Sequence, residues 1–372
     1  MKVLDWRPAW ERYLLARWHR PAHSPTNWES SPGPARWWSG WADHWTRQRV
    51  ASRYPTEDGP FIVSVGNLAL GGTGKTPVIM GLARDLAHEG FFGAILTRGY
   101  KSPLAGPVEV TTDLLLAGDE ARLLSQALQP EGWLVVQARN RWAGMLHLLQ
   151  LGRPLDFILL EDGHQTRKVG RDLDVVILDR WSSRQLSTGP VVQPVAGPVF
   201  PFGPYRESAQ GAGRAGILLV ESDVPLPLLG PGGQQVATFH RESQWKVTRP
   251  SQPARPKGSA LAVVSGIARP EAFEQSVARL AEVTLRVSVR LQDHQPYGPR
   301  LVRRLKEALR QEDVSEMVTT AKDWIKLEPF WENDIPVWIS HLEIGWGQQN
   351  VLPQLVREHA LNRYPDLLER RS

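Results

Sequence analysis

Short apolar runs alternate with amphipathic stretches from Pro60 to about residue 180. Five of the runs are rich in branched side chains, as buried strands are. They span residues 61–65, 93–97, 134–137, 156–160 and 174–178, and residues 78–89 read as a helix. Strands that alternate with helices predict an α/β fold with a doubly wound parallel sheet, covered on both faces.

A second series of strands and helices follows a Pro- and Gly-rich stretch, residues 189–216, that reads as a loop and linker. Its expected strands span residues 216–220, 260–264, 284–289 and 316–319, with helices starting at Pro270 and Pro299. We therefore predict a smaller second α/β domain over residues 213–346, after a first domain over 54–212. An apolar helix within residues 347–372 is expected to pack back on the first domain.

A glycine-rich turn joins the first predicted strand to the first predicted helix. Residues 69–76 read Ala-Leu-Gly-Gly-Thr-Gly-Lys-Thr, which matches the P-loop consensus except that Ala69 replaces its first glycine. Glycines let main-chain N–H groups face the phosphates, Lys75 can bridge the β- and γ-phosphates, and Thr76 can bind Mg²⁺. The residues expected to hold ATP are Gly71, Gly72, Thr73, Gly74, Lys75 and Thr76. The fold class is therefore that of a P-loop NTPase.

Acidic residues stand where such a site needs them. An apolar strand ends in Glu161-Asp162, which predicts a magnesium site with Asp162 ahead of Glu161, although a solvated strand end has the same pattern. From spacing alone, Asp119 reads more simply as a helix N-cap than as a general base. An isolated Asp293-His294 pair is usually a loop contact, although histidine is also the commonest acid/base side chain.

The first 53 residues differ in composition from the rest of the chain. They hold eight of the 16 tryptophans and nine Lys and Arg against four Asp and Glu, which accounts for the whole net charge of +5. Tryptophan and arginine favour a membrane surface, although a helix hairpin packed on the protein's own core has a similar pattern. Because the remaining charge is balanced, we expect no nucleic-acid partner.

Several compositional features narrow the setting. The chain has no cysteine, which excludes disulfides, thiol nucleophiles and cysteine-bound zinc. It has neither an apolar stretch long enough for a transmembrane helix nor a secretory pattern. We expect a monomer that stays on the cytoplasmic side and attaches to a membrane surface peripherally.

Many motifs in one order resemble the tetraacyldisaccharide 4'-kinases, which phosphorylate the lipid A precursor. The resemblance runs from about Phe61 to Lys326. It includes residues 65–67 with the P-loop, 97–100, 118–120, 161–165, 171–174, 197–198, 203–207, 293–294, Thr320 and 322–323. It implies an enzyme associated with the cytoplasmic face of the inner membrane, with two α/β domains that close over MgATP. The acceptor would be a disaccharide 1-phosphate lipid whose 4'-hydroxyl accepts phosphate.

The resemblance also implies roles for individual residues. Asp119 would be the base, paired with His294, and Lys75 would act on the phosphates. The residues that match positions near the acceptor are Asn67, Arg98, Tyr100, Arg141, Gln165 and Arg206. The chain departs from the family at Glu161, where aspartate is usual, and at Thr166, where histidine is usual. His164 occupies the position of an aromatic residue in the family, and it is either a substitute for the missing histidine or a structural residue. Tyr100 is followed by residues 101–103, Lys-Ser-Pro, in place of the usual glycines.

Two other classes of protein remain compatible with the residues. One is a different P-loop ATPase that acts as a switch or delivers a cargo, which would hydrolyse ATP without a lipid acceptor. The other is a basic adaptor with a vestigial P-loop, which would bind no nucleotide. Two observations argue against the adaptor: the excess positive charge is confined to the first 53 residues, and carboxylates are expected beside the P-loop.

Overall fold

A computed structural model describes residues 1–12, 59–111, 114–166, 168–187, 189–224, 226–227, 229–247, 258–280, 283–314, 316–332 and 335–371. The chain divides into two units. The P-loop unit comprises Pro21–Arg241 and Ile344–Ser372, and the second unit comprises Met1–Arg20 and Glu242–Glu343.

The strands and helices of the described residues are numbered here in chain order. The strands are β1 Lys2–Asp5, β2 Phe61–Asn67, β3 Gly93–Thr97, β4 Val108–Glu109, β5 Leu134–Gln137, β6 Phe157–Glu161, β7 Leu173–Leu178, β8 Trp181–Leu186, β9 Gly189–Pro194, β10 Ile217–Glu221, β11 Gln235–Val247, β12 Gly258–Ser265, β13 Val283–Arg290, β14 Glu316–Thr320 and β15 Val337–Trp346. The helices are α1 Lys75–His88, α2 Asp119–Leu128, α3 Arg141–Gln150, α4 Pro270–Ala278, α5 Pro299–Gln311, α6 Ala321–Leu327 and α7 Leu352–Arg363.

The sheet of the P-loop unit runs in the order β11-β10-β7-β2-β6-β3-β5-β4. Every neighbouring pair is parallel except β4 and β5. The carboxyl ends of the parallel strands therefore meet at one edge, where ligands of such sheets bind. The α/β class expected from the sequence is confirmed.

Helices cover both faces of this sheet. Alternate residues of β2 point to opposite sides, so Phe61 joins one apolar cluster and Ile62 another. Helices α1, α2 and α7 contribute to the first cluster, and α3 contributes Met145 and Leu148 to the second. Burial on both faces explains why the strands read as continuous apolar runs.

The second unit has its own parallel sheet. Its strand order is β1-β13-β12-β14-β15, and all four pairs are parallel. Leu261, Phe273 and Trp338 belong to its apolar core. Residues 293–294 follow β13 and residues 321–323 follow β14, so both motifs lie at the carboxyl edge of this sheet.

The structure corrects the expected boundaries. Strand β10, expected to open the second domain, pairs with β7, and the division falls after Arg241 instead of near residue 213. Residues 189–194, expected as loop, form β9 of an antiparallel hairpin with β8. Proline is tolerated in such an exposed two-stranded ribbon, and Val191 and Val192 are buried.

The beginning of the chain is also part of a sheet. Residues 2–5, expected within a separate N-terminal segment, pair with Val287–Arg290 as the edge strand β1. Residues 13–53 of that segment lie outside the described residues. None of the helices in the described ranges has the length and apolar character needed to cross a bilayer.

Candidate active site

The P-loop follows the central strand β2 and leads directly into α1. Gly71 and Gly74 have φ values of 104° and 88°, in the left-handed region that favours glycine. A Cβ at Gly74 would lie 3.0 Å from the Arg241 guanidinium, which itself donates to the Thr73 carbonyl at 3.0 Å. Arg241 therefore packs on the loop, a contact that the sequence did not indicate.

Lys75 begins α1 and points back toward the end of β2. Its Nζ lies 3.3 Å from Asn67 Oδ1 and 3.5 Å from Asp162 Oδ1. The Asn67 amide in turn donates to the Ala69 carbonyl at 2.8 Å. The ammonium is thus held at the base of the P-loop by two side-chain oxygens.

Glu161 is the carboxylate that touches the P-loop threonine. The Thr76 hydroxyl donates to Oε1 at 2.7 Å, and the Thr97 hydroxyl donates to Oε2 at 2.5 Å. Burial, reinforced by the charge of Glu120, raises the pKa of Glu161 to about 7 despite these hydrogen bonds. Thr97 was not a predicted site residue, although it lies in the 97–100 motif.

Asp162 faces different partners from its neighbour. Arg206 Nη1 donates to both of its oxygens, at 2.8 and 2.7 Å, and Lys75 lies on the same carboxylate. Burial alone would raise the pKa of Asp162, but Lys75 and then Arg206 outweigh it and lower the pKa to about 2. Asp162 is therefore charged, and it has a φ of 54°.

Gln165 and Arg141 support the site from within the fold. Gln165 Nε2 donates to the Asn67 carbonyl and to Glu207 Oε1, both at 2.8 Å. Arg141 is buried, and its guanidinium donates to the carbonyls of Leu96 and Glu161. Burial lowers the pKa of Arg141 to about 10, against the opposing charges of Glu161 and Asp162. In this arrangement Arg141 ties two strand ends together.

His164 lies in a buried polar cluster. Its Nδ1 is 2.8 Å from Asp174 Oδ2, and its Nε2 is 2.9 Å from Arg214 Nη2. A Cβ at Gly66 would lie 2.5 Å from His164 Cβ, so β2 approaches this residue closely. The contacts favour the structural interpretation of His164 over a role as substitute for the missing histidine.

Asp119 is the first residue of α2, and Gly118 is the N-cap. The interpretation of Asp119 as the cap is therefore wrong, because Gly118 holds that position. Asp119 Oδ1 accepts a hydrogen bond from the adjacent Glu120 amide at 3.0 Å. Gly118 also lies against Gly99, since an added Cβ would be 3.1 Å from Gly99 Cα. Arg98 and Tyr100, on either side of Gly99, are exposed.

His294 lies in the second unit with a φ of 58°. Lys322 Nζ is 3.1 Å from His294 Nε2 and 3.1 Å from Asp293 Oδ1. An ammonium only donates, so Nε2 is the acceptor and the proton of a neutral His294 lies on Nδ1. The neighbouring Asp323 accepts hydrogen bonds from Gly266, Thr320 and Tyr297.

The donors beside the P-loop fit Mg²⁺. The described residues hold no cluster of three or more His, Cys, Asp or Glu that could form a metal cage. Mg²⁺ instead takes one or two protein oxygens together with water and phosphate oxygens. The Thr76 hydroxyl and the Glu161 carboxylate offer such oxygens next to each other.

Comparisons with known proteins agree with one another. A family model described as "Tetraacyldisaccharide-1-P 4'-kinase" matches residues 43–360. The tetraacyldisaccharide 4'-kinase of Bdellovibrio bacteriovorus is 31% identical over 314 residues, which cover 80% of this chain and 88% of that protein. That of Maricaulis maris is 32% identical over 298 residues, 77% of this chain and 80% of that protein.

One solved structure shares the fold. It is the crystal structure of LpxK from Aquifex aeolicus in complex with ATP, with a TM-score of 0.61 and 21% identity. The match covers 88% of this chain and 96% of that chain.

Proposed function

The chain belongs to the tetraacyldisaccharide-1-P 4'-kinase family, and from this premise we propose that it transfers the γ-phosphate of ATP to the 4'-hydroxyl of a tetraacyldisaccharide 1-phosphate. The observation that most supports this proposal is the joined set of Thr76, Glu161, Lys75 and Asp162 at the P-loop. Such a set serves phosphoryl transfer, which depends on placement and neutralised charge more than on covalent help.

ATP binds along residues 71–76, where the loop amides and Lys75 face its phosphates. Thr76 with Glu161 and Asp162 would hold Mg²⁺, which would supply neutralising charge for the phosphate oxygens. Glu161 stands nearest to the threonine hydroxyl, so we now rank it ahead of Asp162 as the metal carboxylate.

The acceptor is proposed to bind beside the loop that follows β3, which holds Arg98 and Tyr100, and the loop that holds Arg206. Exposed Arg98 and half-buried Arg206 suit the anionic 1-phosphate, because guanidinium groups bind phosphate through two hydrogen bonds. Asp119 takes the proton of the acceptor hydroxyl while the hydroxyl oxygen forms a bond to the γ-phosphorus of ATP. The bond between the γ-phosphorus and the oxygen that bridges it to the β-phosphate breaks, and ADP leaves with that oxygen.

His294 is proposed as a further acid/base group. With Lys322 on Nε2, a neutral His294 presents its N–H at Nδ1, where it can orient a carboxylate. A role for this residue is tested with His294→Phe, which removes both the N–H donor and the nitrogen that can take up a proton. Turnover equal to that of the unaltered protein would remove His294 from the mechanism.

We further propose that the enzyme works at the cytoplasmic face of the inner membrane, attached through the Trp/Arg-rich part of residues 1–53 that follows strand β1. Basic and aromatic side chains bind anionic lipid surfaces reversibly. Sedimentation with vesicles that contain anionic lipid tests this proposal. Failure of the protein to sediment with them at low salt would contradict it.

The function itself is tested with γ-labelled ATP and a tetraacyldisaccharide 1-phosphate, by following the label into the lipid. The unaltered protein is expected to label the lipid, and Lys75→Ala is expected to fail because the phosphates lose their ammonium. Hydrolysis of ATP that the lipid does not affect would instead favour a P-loop ATPase acting as a switch or delivery protein.

A further inference from the structure

Three large apolar side chains are exposed beside Asp119. The exposed fractions are 57% for Tyr100, 61% for Leu115 and 58% for Leu116. Leu115 and Leu116 lie just before the start of α2, and Tyr100 lies in the loop after β3. Single exposed apolar residues are ordinary, but a group of them beside a site marks a binding surface.

A ring of hydrogen bonds joins the two loops that hold these side chains. The Ser102 hydroxyl donates to the Leu116 carbonyl at 2.7 Å, and Gln137 Nε2 donates to that hydroxyl at 2.9 Å. The Gly118 amide closes the ring by donating to Gln137 Oε1 at 2.8 Å. Ser102 and Gln137 are buried, so the ring is rigid and shielded from water.

The main chains of the loops also touch. Gly99 packs on the Gln137 amide, where an added Cβ would be only 2.0 Å from Cδ. Gly118 packs on Gly99 in turn. Tyr100, which follows Gly99, is therefore held next to the segment that contains Leu115 and Leu116. Lys101 lies beside this surface with Nζ 5.6 Å from the Tyr100 ring centroid.

We propose that Tyr100, Leu115 and Leu116 form a docking surface for an acyl chain of the lipid acceptor. The inference rests on the proposed function, which brings a hydroxyl of an acylated disaccharide to Asp119. Leu116 lies three residues before Asp119, and Tyr100 lies two residues after Arg98. A lipid whose polar head is held at Asp119 and Arg98 would therefore place an acyl chain on the apolar side chains. Burial of the apolar side chains under an acyl chain then raises the affinity of the enzyme for long-chain acceptors, but not for acceptors with short acyl groups.

The test compares two acceptors that differ only in chain length. One is the tetraacylated disaccharide 1-phosphate in detergent micelles, and the other is its water-soluble tetraacetyl analogue. The double variant Leu115→Ser/Leu116→Ser is expected to lose about 10- to 100-fold in kcat/KM with the long-chain acceptor, mainly through KM. With the acetyl acceptor its kcat/KM should stay unchanged, and so should its affinity for ATP.

A matched control replaces exposed apolar residues elsewhere in the same unit. Val224 and Leu368 are 61% and 52% exposed, and Val224→Ser/Leu368→Ser is expected to keep full activity with both acceptors. Gln137→Met leaves the apolar side chains in place but opens the ring. We expect it to lower the ratio of long-chain to acetyl kcat/KM and to speed hydrogen exchange at the Gly118 amide.

The outcomes separate the inference from the function it rests on. If the unaltered protein labels neither acceptor, the proposed function fails. If it labels both and does not prefer the long chains, the docking surface is refuted. Equal losses with both acceptors in the leucine variant, or no loss with either, refute it as well. Equal losses in the leucine and control variants would show that any exchange of exposed apolar residues for serine lowers activity, which also overturns the docking surface.

Discussion

The hydroxyl of Thr76 donates to Glu161 Oε1 across 2.7 Å, which joins the P-loop to the end of strand β6. The next residue, Asp162, is bound to Lys75 and Arg206 instead. Two carboxylates that are adjacent in the chain thus serve different partners. Glu161 accepts the hydrogen bond of the P-loop threonine, and Asp162 is the counter-ion of Lys75 and Arg206.

The first prediction concerns Glu161→Gln. The amide can still accept from Thr76, but it lacks the charge that a cation needs. We expect kcat to fall by about 10²–10³, as when one group that stabilises transition-state charge is removed, and the Mg²⁺ concentration for half-maximal rate to rise. A magnesium titration of the rate measures both. Glu109→Gln is the control, and an unaltered magnesium requirement in Glu161→Gln would count against the assignment.

The second prediction is a pH dependence of stability in the nucleotide-free protein with a chelator. Burial raises the pKa of Glu161 from 4.5 to about 7, so the folded state keeps a proton that the unfolded chain has lost. The free energy of unfolding therefore falls as pH rises from about 4.5 to about 7, by up to about 3 kcal/mol. The melting temperature of the unaltered protein should fall relative to Glu161→Gln over this window. If the melting temperatures of the two proteins changed with pH in the same way, the prediction would be contradicted.

The third prediction concerns Asp119→Asn. The substitution retains the shape of the side chain and removes the proton acceptor, so we expect turnover to fall by about 10²–10⁴ while ATP affinity is unchanged. Single-turnover rates and equilibrium ATP binding separate the two quantities. Asp156→Asn is the control, because Asp156 lies before β6, at the end of that strand away from Glu161 and the P-loop. Near-normal turnover in Asp119→Asn would remove the base from the mechanism.

The fourth prediction concerns Asp323 in the second unit. Burial alone would raise the pKa of Asp323, but Lys326 and the hydrogen bonds it accepts outweigh burial and lower it. Its stabilising effect is therefore present above the ordinary pKa and is lost as pH falls through the lower folded value. Asp323→Ala leaves Lys326 without its carboxylate and should cost about 3–5 kcal/mol at neutral pH.

Thermal unfolding measures this cost, with Glu307→Ala as the control because Glu307 is exposed within helix α5 of the same unit. The difference between Asp323→Ala and the unaltered protein should shrink at acid pH. A difference that is constant with pH would show that the charge of Asp323 does not matter.

Much of the architecture follows from local pattern. The buried strands β2, β3 and β5 read as apolar runs because they are covered on both faces. The hairpin of β8 and β9 was missed because its prolines and exposed polar residues resemble a loop. The domain boundary was missed because β10 is an apolar strand like those of either unit, and only its pairing with β7 assigns it.

The site was predictable to the extent that it lies in one motif. The P-loop and the two acidic residues after β6 could be found from the sequence, but their division of partners could not. Successive residues at a strand end point in different directions, so the contact of Glu161 with Thr76 depends on three-dimensional geometry. Gln137 was missed because its partners are contributed by loops distant in the chain.

The contact between Lys75 and Asp162 has a consequence for product release. Their 3.5 Å separation makes Asp162 a counter-ion that the protein itself supplies to the Lys75 ammonium. A departing ADP therefore does not leave an uncompensated charge in a half-buried site, which would be costly. A carboxylate in this position would compete with the phosphates for Lys75, and we therefore expect it to favour the release of ADP.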